Sequence, residues 1–297
     1  PPENDWVLNS LPFDPSLIRD HISYQLSREI GEYAPRTAYC EVVVNGSYRG
    51  LYMLQEKIKV DGNRVDIVKI EPDNNTLPDI TGRYIIKADK ITNDDPSAWV
   101  MINQLGSRVD FVYEFPKPTN ISSEQAGYIR SVFFQLANAT SNGNSSILTG
   151  FPSIIDIPSF INFMIINELS ANVDAYQFST FFHKDKRGKL RAGPLWDLNL
   201  TYSNDLFQWG FDRSKTDRWQ FDNGDNVGAP FWKELFSNST YKCYLSRRWN
   251  ELTQPGQPLH ISHINSLVDE TVSTIREAKV REDARWGAVG NHESRIT

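Results

Sequence analysis

Asp174 and Asp197 are the residues whose types and spacing point most directly to chemistry. Asp174 closes Asn172-Val173-Asp174, and Asp197 lies within Gly193-Pro194-Leu195-Trp196-Asp197-Leu198-Asn199. Between them run Phe178 to Lys184, the polar turn Asp185-Lys186-Arg187-Gly188, and Lys189 to Gly193, a strand, turn and strand in β-propensity and turn chemistry. An antiparallel hairpin sets the residue before its first strand beside the residue after its second, with the strands about 5 Å apart. The two acids are therefore expected at one end of a rigid element, where they can serve one metal ion or one reacting group.

The elements upstream must hold that end in place. Asp156-Ile157-Pro158-Ser159 reads as a helix start, and Phe160 to Leu169 is apolar on nearly every face, as in a buried helix. Asp174 then emerges from its C-terminal end on a loop, the usual position of catalytic groups on a rigid scaffold. Helix, loop Asp, hairpin and second Asp is also the order in the catalytic lobe of protein kinases, where the first Asp orients the attacking hydroxyl and the second holds magnesium. Taken singly, each aspartate is better explained as a turn or capping residue.

Further upstream, Asp14-Pro15-Ser16-Leu17 is expected to start a helix with an acidic N-cap, closed by Gly31, with Leu17, Ile18, Ile22, Leu26 and Ile30 as its apolar stripe. Ala38 to Val44 and Leu51 to Ile58 read as strands joined by the hairpin signal Asn45-Gly46. Arg64 to Ile70 and Arg83 to Ala88 read as two more. A capped helix runs from Ser122-Ser123-Glu124-Gln125 to Asn138, followed by a low-complexity loop to Ser146. Phe115-Pro116-Lys117-Pro118 reads as an extended linker, and Ile264 to Trp286 as a charged amphipathic helix. Sheet first and helices after is an α+β arrangement.

These strings together resemble the spore-coat CotH family of atypical, protein-kinase-like enzymes. The likeness is carried by Asp5-Trp6-Val7-Leu8, Ser16-Leu17-Ile18-Arg19, Asn45-Gly46-Ser47-Tyr48-Arg49-Gly50-Leu51-Tyr52 and Gln55-Glu56-Lys57-Ile58. It continues through Gly82 to Asp89, Asn172 to Asp174, Phe181 to Lys189 and Gly193 to Asp197, in the family's order. The resemblance implies a single kinase-like domain over 1–297, with a sheet-rich N-lobe (1–118) and a mainly helical C-lobe (119–297) that bears the catalytic hairpin. It implies transfer of the ATP γ-phosphate to a Ser or Thr hydroxyl of a protein, with Mg²⁺ or Mn²⁺, in a secreted, bacterial spore-coat or cell-surface setting. Asp174 would be the base and Asp197 the principal metal ligand, with Asn199 and Ser179 as secondary metal ligands. Lys87 would contact nucleotide phosphates and Glu56 would pair with it. Ser179 stands where kinases carry a metal-binding Asn, and Asn199 where the family often has a second acid. The alternative is therefore a weak or inactive pseudokinase serving as a surface binding module, with a glycan as one candidate partner. Trp209, Phe211, Trp219 and Phe221, in the segment from Thr201 to Gly228, could stack on sugars or pin a long loop. The chain opens on Pro1-Pro2-Glu3-Asn4, without the family's Gly/Ser-bearing basic segment, and is expected to be a trimmed piece of something longer.

Composition narrows the alternatives. The 297 residues are 39% hydrophobic and 23% charged, ordinary globular usage, with a formal charge of −6 that leaves no basic footprint for nucleic acid. No apolar run approaches the ~20 residues of a membrane span. Cys40 and Cys243 neither demand nor exclude a disulfide. The five histidines show no zinc spacing, and no G-x-S-x-G marks a hydrolase. Asp174 and Asp197 could act as the two carboxylates of a glycosidase, but the surrounding motifs match the kinase-like family.

Overall fold

A tight turn at Asn45 (φ 51°) and Gly46 (φ 78°) folds β2 (Thr37–Val44) back on β3 (Ser47–Glu56), since only residues tolerant of positive φ fit a two-residue hairpin loop. The computed structural model that shows this describes residues 4–204, 215–222, 224 and 226–287. β1 (Trp6–Asn9) pairs antiparallel with the other edge of β3, giving the order β1-β3-β2. Before β2 lies α1 (Arg19–Glu29). It begins later than the sequence suggests: Pro15 and Ser16 sit in a turn, and Asp14 caps at a distance by accepting the N–H groups of Ser16 (2.9 Å) and Arg19 (2.9 Å).

A second antiparallel sheet is built from β4 (Tyr84–Ala88), β5 (Trp99–Ile102), β6 (Arg108–Phe115), β7 (Thr180–Lys184) and β8 (Arg191–Ala192), in the order β5-β6-β4-β7-β8. The β7–β8 hairpin expected between the two aspartates is present, and it extends a sheet whose other three strands precede Pro118. Gly82 lies against the hairpin turn so closely that a Cβ there would sit 2.0 Å from the Asp185–Lys186 peptide. Arg64 to Ile70 does not form a strand. Val65 makes only an isolated bridge to Val60, and Val65 and Ile67 alternate inward to cover the sheet with Ile58, Val60, Ile85 and Phe181. Apolar alternation here reports burial of one face without a strand partner.

The helices cover the other face. α2 (Ser123–Ser141) starts with a complete Ser122/Gln125 capping box, and α3 (Phe151–Ile154) is a single turn. α4 (Ile157–Leu169) is capped by Asp156 through the Ser159 N–H (3.0 Å). α5 (Phe231–Ser237) and α6 (Ser239–Leu252) pack beside them. α7 (Ile261–Trp286) returns to the first sheet, where Glu282 accepts the Leu51 N–H (2.7 Å) and Trp286 donates to the Arg49 carbonyl (2.9 Å). Gly50 makes room: a Cβ there would lie 2.3 Å from Glu282 Oε2. The whole is α+β, with antiparallel sheets and seven helices among the described residues. None of those helices is long and apolar enough to cross a membrane. Cys40 and Cys243 are free thiols.

Phe182, in the middle of β7, is fully buried against the rings of Phe111, Phe133, Phe160, Phe231 and Trp232. Truncating such a ring leaves a cavity that close-packed neighbours fill only in part. Phe182→Ala is expected to lower unfolding free energy by about 3–5 kcal/mol, read from the shift in urea midpoint.

Candidate functional site

α4 ends at Leu169, and the loop beyond it is held by its own amides. Asn172 donates to Asn167 Oδ1 (2.8 Å) and accepts the Asp174 N–H (3.2 Å). Asn226, from the far side of the chain, donates Nδ2–H to the Val173 carbonyl (3.0 Å) and to Asp174 Oδ1 (3.3 Å). Glu168 accepts from the Tyr176 hydroxyl (2.6 Å) and the Gln220 N–H (2.8 Å), and burial pushes its carboxyl up to about 7. Gly228 (φ 68°) abuts Tyr176, where a Cβ would lie 2.4 Å from the tyrosine's own. Asn226, Glu168 and Gly228 were invisible as site residues in the sequence, because nothing in their neighbourhoods marks a motif.

Asp197 follows β8 by a short extended stretch and adopts a left-handed backbone (φ 60°), its N–H donated to the Tyr24 hydroxyl oxygen (3.0 Å). The Ser179 hydroxyl bonds its carboxylate, and the Ser179 N–H points to Asp89 Oδ1 (3.4 Å). Burial raises the Asp197 pKa first, and the negative charges of Asp174 and Asp89 raise it further, to about 6. Lys90 and the Ser179 hydroxyl act in the opposite direction. The structure thus brings Asp174, Asp197 and Ser179 together as the hairpin requires, and adds Asp89 and Lys90 from the end of β4. The pairing Ala88↔Thr180 carries Asp89 to Ser179. Asp89 closes a family-like string in the sequence, so the signal was present but carried no role.

Lys87 and Glu56 are not partners. Lys87 donates to Asp95 (2.9 Å) and pairs with Asp89 (3.4 Å) and Glu114 (3.8 Å). Burial alone would lower its pKa, but these carboxylates hold it above the ordinary lysine value. Glu56 is buried among other cations, accepting from Arg36 Nε (2.9 Å), the Arg36 N–H (3.0 Å) and Tyr33 (3.3 Å), with Arg64 Nε at 3.8 Å. Burial pushes the Glu56 pKa up, yet the Arg36 bonds outweigh it and hold it low. The physical reason for the mismatch is topological: β3 and β4 belong to different sheets, and each charge is satisfied locally.

Asn199 lies half-buried two residues past Asp197, its carbonyl accepting from Asn204 (2.8 Å). Among the described residues no group of three or more His, Cys, Asp or Glu side chains could hold a metal ion. The donor set at Asp197 is all oxygen and over-supplied with negative charge, which fits a hard cation held by one or two carboxylates and completed by substrate phosphates, not a closed protein cage. Trp219 is 44% exposed and stacks on buried Phe221 (5.9 Å) and on Phe236 (4.6 Å). Trp209 and Phe211 lie outside the described residues. His183 is structural, its Nδ1 bonded to the Gly193 carbonyl (2.9 Å).

A sequence model of the family described as CotH kinase protein matches residues 3–296. No curated protein sequence matches the chain.

The raised Asp197 pKa has a definite sign in stability. An unfolded aspartate titrates near 3.9, so between about pH 4 and pH 6 the folded state holds the extra proton, and stability falls as pH rises through that window. Asp197→Asn should abolish this loss and be more stable than the native protein at pH 7.5, by about 3 kcal/mol, with little difference at pH 4. Urea unfolding in chelator-treated buffer at both pH values measures it. A variant less stable than native at pH 7.5 would mean that the carboxylate is already compensated.

Proposed function

Since the chain belongs to the CotH family of kinase proteins, we propose that it transfers the γ-phosphoryl group of ATP to a Ser or Thr hydroxyl of a protein acceptor. In this reading the kinase-like lobes of residues 1–118 and 119–297 share the five-stranded sheet, since β7 pairs onto β4, and the nucleotide phosphates are directed to the end of the β4–β7 pair. The observation that carries the reading is the charge at Asp197: the carboxylates of Asp174 and Asp89 both act on it and raise its pKa. Like charges gathered beside Lys87 and Lys90 suit a site that takes a cationic ligand or moves a proton.

Asp174 orients the acceptor hydroxyl and takes its proton as the oxygen–phosphorus bond forms and the bond to the β-phosphate oxygen breaks, with ADP leaving. Asn226 fixes the direction of that carboxylate by its bond to Oδ1. A divalent cation, Mg²⁺ or Mn²⁺, would be held by Asp197 with the Asn199 side-chain oxygen nearby, and would neutralise charge on the phosphates. Ser179, as a donor to Asp197, restrains that carboxylate. Lys90, whose charge reaches Asp197, and Lys87 are cations available to the phosphates, although Lys87 must first exchange part of its carboxylate shell. Glu56 serves the Arg36–Arg64 cluster instead. The setting proposed is extracytoplasmic, at a spore coat or cell surface.

A second reading, a catalytically weak member that acts as a binding module, is favoured by one observation. Ser179 and Asn199 put neutral groups beside Asp197 where further ligands are wanted.

The two readings separate by measurement. Millimolar ATP with Mn²⁺ is expected to raise the thermal midpoint of the native protein by up to several degrees, and Asp197→Ala to abolish the shift. Asp174→Asn should keep the shift but lower phosphate transfer about a hundredfold or more. Absence of a shift in the native protein would overturn the kinase reading. A shift without transfer to any protein acceptor would favour the binding module.

A further inference from the structure

α1 buries two faces, and only one of them is apolar. Ile22, Leu26 and Ile30 pack into the core, but Asp20, Ser23, Tyr24 and Ser27 are just as inaccessible. These four recur at helical spacing, so they form a continuous polar stripe along the helix. Buried polar groups are retained where they have partners, and the partners here lie largely in one segment, Asp197 to Tyr202. Tyr24 accepts the Asp197 N–H (3.0 Å) and Asp20 Oδ1 accepts the Leu198 N–H (2.6 Å). Arg19 Nε donates to the Thr201 carbonyl (2.9 Å), and the Ser23 and Tyr202 hydroxyls meet at 3.2 Å.

That segment needs holding. Asp197, Tyr202 and Ser203 all have positive φ (60°, 49° and 65°), a left-handed conformation that non-glycine residues keep only where the surroundings impose it. The arrangement also carries a penalty that packing alone would have avoided: Asp20 Oδ2 is buried without a hydrogen-bond partner. An apolar helix face would bury the segment equally well but would not fix the direction of two successive main-chain N–H groups.

We infer that Tyr24 and Asp20 are positioning residues for Asp197, holding the left-handed turn at Asp197–Leu198 so that the carboxylate points toward Asp174. Their catalytic consequence rests on the phosphotransferase reading above; their action on the turn does not. Tyr24→Phe deletes one hydroxyl and keeps the ring. Asp20→Ala deletes the acceptor for Leu198, whereas Asp20→Asn retains a carbonyl oxygen at that place and serves as the rescue.

Amide hydrogen exchange of Asp197 and Leu198 in nucleotide-free protein, with the Phe182 and Ile165 amides as core references, is the first readout. Exchange at the turn is expected to accelerate about tenfold or more in Tyr24→Phe and Asp20→Ala, to stay near native in Asp20→Asn, and to leave the core references unchanged. The second readout is the Mn²⁺ concentration that half-saturates the ATP-dependent thermal shift. It should rise about tenfold in Tyr24→Phe and Asp20→Ala and return toward native in Asp20→Asn. Unchanged turn exchange in both variants, or core amides accelerating in parallel with the turn, would overturn the inference. If the native protein shows no ATP–Mn²⁺ shift, the phosphotransferase reading fails, and the exchange data alone still decide whether Tyr24 and Asp20 hold the turn.

Discussion

The antiparallel pairing of β4 with β7 is the constraint on which the rest of the site depends. Its register, Lys87↔Phe181 and Ala88↔Thr180, fixes the two strands to one another residue by residue. The residues just beyond the pair, Asp89 on one strand and Ser179 on the other, therefore have no choice but to meet. A slip of one residue would turn Phe182 out of the aromatic core, so the core itself enforces the alignment. Everything polar at the site is thereby positioned by an apolar lock several residues away.

The site is electrostatically expensive and the fold tolerates it because the cost is local. Asp89 and Asp174 both act on Asp197, and Asp20 has its own carboxyl pushed up to about 7 by burial and by Asp197. Elsewhere the same molecule pairs its charges closely: Glu56 with Arg36, Arg19 with Asp14, Arg191 with Glu32 and Asp156. At Asp197 the compensation is weaker: Lys90 and the Ser179 hydroxyl act against the rise, yet its pKa stays above the ordinary carboxylate value.

Much of this was legible in the sequence, for identifiable reasons. The Asn45-Gly46 turn, the Ser122 and Asp156 caps and the β7–β8 hairpin are local: turn chemistry and capping write them into a few consecutive residues. Asp174 and Asp197 could be matched because a hairpin converts sequence order into proximity. What escaped was set by long-range contact. The strands β5 and β6 carry mixed patterns and owe their existence to pairing, β6 with β4 and β5 with β6. Asn226 reaches Asp174 from a distant segment, and Tyr24 reaches Asp197 across most of the chain. The polar stripe on α1 was hidden behind its apolar one, which alone sufficed to identify a helix. Lys87 and Glu56 were mispaired because strand membership, not spacing, decides which charges share a face.

The docking of α7 on the first sheet has a temporal side. The hydrogen bond from the Leu51 N–H to Glu282 joins groups 231 residues apart, and Gly50 leaves the hollow that the glutamate fills. During synthesis the β2–β3 hairpin leaves the ribosome long before the helix that covers it. Until α7 arrives, the backbone around Gly50 stays open to water and to any chaperone or neighbouring chain that meets it. Closure of this sheet therefore waits until at least the 231 residues from Leu51 to Glu282 have been made.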